Sequence, residues 1–360
     1  MSPTPPARPG RGALSNPEGR FESRRMSAVD DGWPRDPEAD ELPPLETTVK
    51  PEHAKKIISH NDSPDVGFDQ SINPYRGCEH GCVYCYARPS HSYVNLSPGL
   101  DFETKLFYKA HAAQLLATEL SRPGYVCKPI NLGANTDPYQ PIERKLRVTR
   151  SILEVLQRHR HPLTIVTKSA LIERDLDILT EMARDDLVMA FVSVTTLDAA
   201  LKRKLEPRAP SPAARLHAVR ALRDAGVPVG VLVAPVIPAV TDHELEHILE
   251  AVAQAGAQTA GYVLIRLPYE VNTLFREWLD AHLPERAEHV MSLIRATRNG
   301  RENDPRFGSR MRGEGPYAEL IARRFETAAR RLGLLRRRAS QLSTQHFRPY
   351  LSADNQLTLL

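Results

Sequence analysis

Cysteine is scarce in this chain: four in 360 residues, three of them within eight positions. A disulfide framework spreads an even set of cysteines along a secreted chain, so that reading is excluded and a reducing, cytoplasmic setting is expected. No apolar run approaches the ~18–20 residues that cross a bilayer, so no membrane partner is expected. The opening Met1-Ser2-Pro3-Thr4-Pro5-Pro6 has no apolar stretch, and no secretory signal is read there. Aromatic residues make up only 6% of the chain, and no stacking platform for bases stands out. A nucleotide-type glycine fingerprint is missing. So are the patterns H-x-E and H-E-x-x-H, and none of the 13 histidines is singled out.

What is present is an ordinary globular composition, 41% hydrophobic and 26% charged, with enough length for one large α/β domain and tails. Residues 1–60 are rich in Pro, Gly, Ser, Asp and Arg and read as a disordered or loosely packed arm. Order is expected from Asp69 onward. Strand-like runs at 129–133, 163–167, 187–195, 227–233 and 261–267 alternate with helical segments at 110–120, 143–157, 173–183, 212–225 and 242–255. Counting the strand before the cysteines, six βα units follow one another, which predicts parallel strands in a partial (β/α)6 TIM-like barrel. Three more helices are expected near 271–282, 285–297 and 316–332. The core is placed at 65–300, an arginine-rich helical extension at 301–338 and a C-terminal tail at 339–360.

The three clustered cysteines read Cys78-Glu79-His80-Gly81-Cys82-Val83-Tyr84-Cys85. Three soft thiolates on one loop suit an iron–sulfur cluster with one iron left free for another ligand. The competing reading is a structural zinc site, which needs a fourth ligand from His80, His91 or Cys127; His80 stands too near Cys78 and Cys82 to close a tetrahedron easily. In a βα barrel, function gathers at the C-terminal strand ends. There the chain carries Ala134-Asn135-Thr136-Asp137, Thr167-Lys168-Ser169, Ser193, Thr195 and Arg266.

The C-x3-C-x2-C loop with Tyr84 inside it, after the first strand of such a chain, resembles the radical S-adenosylmethionine (SAM) superfamily. Ile72-Asn73-Pro74-Tyr75-Arg76-Gly77-Cys78, Thr136-Asp137, Thr167-Lys168-Ser169 and Leu205-Glu206-Pro207-Arg208 resemble the branch related to spore photoproduct lyase. The resemblance implies a [4Fe–4S] cluster on Cys78, Cys82 and Cys85, with SAM at the fourth iron. SAM would be cleaved to a 5′-deoxyadenosyl radical that takes hydrogen from substrate. It implies Tyr84 beside adenine, Thr136 facing SAM, Lys168 at its carboxylate or sulfonium, and Ser193 at the ribose. Asp137 is a SAM contact or a turn residue before Pro138. An electron donor such as ferredoxin or flavodoxin is implied as a partner.

One departure limits the resemblance. Where the lyase carries a cysteine that returns hydrogen to product, this chain has Ala134, and Cys127 lies before that strand. Glu206-Pro207-Arg208 reads equally as a loop with a surface ion pair. Arginines from Arg295 to Arg338 leave nucleic acid open as a partner, against a set of solvated helix faces. The alternative function is a non-catalytic zinc- or iron-binding protein that interacts with nucleic acid.

Overall fold

Leu163–Thr167 and Val188–Ser193 are buried along nearly their whole length and Val229–Val236 over most of its own, as strands covered on both faces must be. The computed structural model describes residues 8–21, 45–335 and 342–349. Its strands, in chain order, are β1 (Thr48–Glu52), β2 (Ile58–His60), β3 (Gln70–Ile72), β4 (Tyr75–Arg76), β5 (Lys105–Lys109), β6 (Ile130–Leu132), β7 (Leu163–Thr167), β8 (Val188–Ser193), β9 (Val229–Val236) and β10 (Thr259–Leu264). The main sheet runs β10-β9-β8-β7-β6-β3-β2. From β3 to β10 every pairing is parallel, and β2 joins β3 antiparallel. The sheet stays open between β2 and β10, so the expected six parallel strands form a partial barrel with one added edge strand.

Helices return the chain between these strands. Pro212–Asp224 starts on Ser211, whose hydroxyl accepts the Ala214 N–H at 3.2 Å, and Gly226 follows it at φ +76°. The single helix expected at 143–157 is instead two, Glu143–Leu146 and Val148–Arg158, because Arg147 turns left-handed at φ +52°. The first turn expected for 242–255 tightens into a 3-10 turn. The Thr241 hydroxyl before it accepts the Ile237 N–H at 2.9 Å.

Of residues 1–60, read as a disordered or loosely packed arm, 1–7 and 22–44 lie outside the described residues, and the described ones touch the domain at several points. Ala13 and Leu14 are buried, β1 pairs with β5 in a small second sheet, and β2 extends the main one. At the other end, Glu270–His282, Ala287–Ala296 and Pro316–Arg331 match the expected helices. The last packs Phe325 on Tyr262 of β10, with ring centroids 4.7 Å apart. Residues 342–349 cross the opposite end of the barrel from the cysteines. There the Ser343 and Arg348 N–H groups donate to Asp186 and His159, each at 2.9 Å. Arg336, Arg337 and Arg338 lie outside the described residues. Among the described residues no helix is long and apolar enough to cross a membrane.

Candidate active site

The cysteine loop leaves β4 at Gly77, whose φ of +76° and close approach to the Phe102 carbonyl exclude a side chain. Cys78 donates its N–H to that carbonyl at 2.9 Å. Cys78 and Cys82 are buried, Cys85 is half-buried, and all three are free thiols. Burial pushes each thiol up, Cys82 to about 12. Among the described residues no three His, Cys, Asp or Glu side chains are grouped to hold a single metal ion. A cubane makes a different demand, since it takes one thiolate at each of three separate irons. Three free thiols on one short loop, whose buried thiolates a metal's positive charge would stabilise, fit that group.

Beneath the loop lies Arg88, fully buried. It donates to the carbonyls of Cys82 (2.9 Å), Pro98 (3.1 Å) and Gly99 (2.9 Å), and pairs with Glu103 at 2.5 Å. Glu103 also accepts the N–H groups of Gly12 (3.0 Å) and Ala13 (2.8 Å). The N-terminal segment is thereby laid against the loop. A Cβ on Gly12 would stand 1.7 Å from the Gly81 carbonyl oxygen, so only glycine fits there.

On the barrel side stands Glu206, also fully buried and bonded to Arg215 and to the Tyr84 hydroxyl. The Thr195 hydroxyl donates to it at 2.8 Å, and Lys168 Nζ lies 4.0 Å away. Burial pushes its carboxyl up, but Arg215 and Lys168 outweigh burial and hold it down to about 2. The alternative reading of Glu206-Pro207-Arg208 as a loop with a surface ion pair does not hold for Glu206. Glu206 is interior, and Arg208 pairs with Glu79 of the cysteine loop at 2.9 Å.

Of the expected site residues, Lys168 is the one left with a reachable charge. Its side chain is 16% exposed and sits 5.9 Å over the Tyr84 ring. Tyr84 is buried with its hydroxyl committed to Glu206 and Thr195. The Thr136 hydroxyl donates to the Tyr75 carbonyl at 3.1 Å. Asp137 accepts from the Thr167 hydroxyl and the Lys168 N–H, both at 2.7 Å, and from the Tyr139 N–H at 2.9 Å. His80 of the cysteine loop lies 3.3 Å from it. Asp137 thus ties strand ends β6 and β7 to the cysteine loop. Burial pushes its carboxyl up, and His80 with these donors brings it below the ordinary range. Ser193 ends β8, buried, with its carbonyl accepting from Arg215 at 3.1 Å.

Sequence reasoning missed Arg88, Glu103 and Arg215, and it underrated Glu206. A buried arginine has no local signature. The one available signal was the placement of Glu206 in the same quoted motif as Arg208. At the mouth, Tyr86 follows the last cysteine and bonds the Ala134 carbonyl, with Arg266 5.8 Å over its ring. Of the C-terminal arginines, Arg295, Arg306, Arg310, Arg324 and Arg331 are tied in ion pairs. Arg298 is spent on the carbonyls of Leu264, Ile265 and Ser309.

The model of the Radical SAM superfamily matches residues 72–252, half of the chain. A protein of Mycobacterium tuberculosis is 38% identical over 230 residues, covering 63% of this chain and 68% of its own length. One of Methanocaldococcus jannaschii is 27% identical over 237 residues, covering 66% and 84%. Among solved structures, spore photoproduct lyase complexed with a dinucleoside spore photoproduct superposes with a TM-score of 0.56 at 15% identity, over 79% of each chain, a likeness of fold. With the cysteine loop at the head of a partial barrel and the family match spanning that barrel's first five parallel strands, this chain is an enzyme of the radical SAM superfamily.

Proposed function

We propose that Cys78, Cys82 and Cys85 hold a [4Fe–4S] cluster and that SAM binds at the iron they leave free, an electron coming from a small carrier such as ferredoxin or flavodoxin. Cluster and SAM together supply a 5′-deoxyadenosyl radical able to take hydrogen from a substrate. The chain's part is to hold the loop, orient SAM and keep water out. The observation that carries this reading is a loop of three free thiols pinned from both sides by buried ion pairs, with Lys168 at the adjacent strand end. An ammonium there suits the SAM carboxylate as a charge-assisted partner. Tyr84, Thr136 and Asp137 are engaged by protein groups, so their part in SAM binding falls to backbone and to positioning. Ser193 keeps its proposed place at the ribose.

For substrate class we carry over nucleic acid from the dinucleoside photoproduct held by the lyase of like fold. No thiol stands at Ala134, so hydrogen return from a cysteine at that position has no place in the proposal.

The test is anaerobic reconstitution with iron and sulfide, then reduction in the presence of SAM. 5′-Deoxyadenosine is expected by chromatography, and Cys78→Ala, Cys82→Ala and Cys85→Ala should each abolish it. A wild-type protein that holds an intact cluster yet never cleaves SAM under a range of reductants would overturn the reading.

A further inference from the structure

Beside the cysteine loop, the loops after β6, β7 and β8 line an open cleft of about 440 Å³. Its wall includes the guanidinium-bearing residues Arg144, Arg174 and Arg208, the hydroxyls of Ser169 and Ser211, and the apolar side chain of Leu171. No carboxylate lines it. The volume lies in the ~300–1,000 Å³ range of small-ligand sites.

The three arginines differ in how they are held. Arg174 is fixed by Glu143 at 2.7 Å and Asp175 at 2.8 Å, and Arg208 by Glu79 at 2.9 Å. Arg174 also donates to Asp175 through Nε and to the Glu143 carbonyl, which leaves it one N–H, whereas Arg208 keeps most of its donors. Arg144 is exposed, and its guanidinium makes no hydrogen bond or ion pair among the described residues. The 13-residue helix Pro212–Asp224 also turns its positive end to the cleft through Ser211. The open fork of Arg144, the remaining N–H groups of Arg208 and one N–H of Arg174, with no acid in the wall, suit the oxygens of a phosphate. The geometry points to a phosphate-ester site: this cleft takes the phosphate of a nucleotide unit, either in a strand backbone or in a free nucleotide. The site stands independently of the cluster chemistry, and only its identification with substrate rests on the proposed function.

The cleft lies beside the reaction face. Arg208 donates its N–H to the His80 carbonyl at 3.2 Å, and Ser169 follows Lys168. A strand whose phosphate sits here would pass close to the cysteine loop.

The experiment uses the full-length reconstituted protein at low salt, without SAM or reductant. A fluorescein-labelled single-stranded DNA dodecamer is followed by anisotropy and AMP by calorimetry. Arg144→Glu is compared with Lys145→Glu, an equal charge change on a neighbour that does not line the cleft. The expected result is that Arg144→Glu weakens a binding probe tenfold or more and Lys145→Glu less than threefold. Loss confined to the dodecamer assigns a backbone phosphate; loss that includes AMP assigns a nucleotide-sized ester. Failure of both probes to bind wild type, or equal loss in the two variants, would overturn the site. Because binding is read without turnover, a protein that binds in this way but never cleaves SAM sinks the proposed function and leaves the pocket standing.

Discussion

Two buried arginine–glutamate pairs hold the cysteine loop, and they are finished differently. Arg88–Glu103 is closed by backbone: the guanidinium takes three carbonyls and the carboxylate takes two N–H groups. Arg215–Glu206 is closed largely by side chains, with Tyr84, Thr195 and Lys168 gathered on one carboxylate. A buried pair is worth little net stability against an apolar substitute, but breaking one leaves a stranded charge. The first pair therefore acts as a clamp on chain path. The second also places a carboxylate 4.0 Å from the Lys168 ammonium, which stays partly exposed at its strand end.

The largest effect should come from the clamp. Arg88→Met strands Glu103 and three carbonyls, and a urea melt should show a loss of about 3–5 kcal/mol. Glu206→Gln should cost less, about 1.5–3 kcal/mol. Glutamine can still accept from Tyr84 and Thr195, and Arg215 keeps the carbonyls of Pro210 and Ser193, both at 3.1 Å. If the two variants lose equal stability, the distinction between the two pairs collapses. The smallest structural effect is expected from Lys168→Met, within about 1 kcal/mol because the side chain is partly solvated. That variant should retain the cluster's absorbance while the KM for SAM in 5′-deoxyadenosine formation rises about tenfold, the equivalent of about 1.4 kcal/mol. An unchanged KM would remove Lys168 from the SAM site and leave the second pair as a clamp like the first.

The barrel was legible because its signals are local. β7 coincides with the expected strand at 163–167, and the C-terminal helices fall within a residue or two of their apolar periods. The break at Arg147 was not legible, since nothing in Glu143–Gln157 disfavours a continuous helix except the left-handed turn that the packed structure imposes. The proline- and glycine-rich N-terminal region is described only over residues 8–21 and 45–60. Low apolar content argues for disorder only when no partner waits, and Gly12 and Ala13 find theirs in a carboxylate about 90 residues away. The pairing of the arginine-rich end was not legible either, because ion pairs to Asp65, Glu246 and Glu250 cannot be inferred from composition.

By itself the sequence determined the chemistry on offer: three thiols at a spacing one loop can present, and alternating apolar periods that make parallel strands with polar ends. Only the tertiary structure decided which of those polar ends stay free. Asp137, Thr136 and Tyr84 were drawn into bonds with the protein, Lys168 remained reachable, and Glu206 became the buried carboxylate beside it. The reason is physical. Spacing and periodicity act over a few residues, whereas burying a charge forces a partner to be found wherever the fold brings one, and that search is settled across the whole chain.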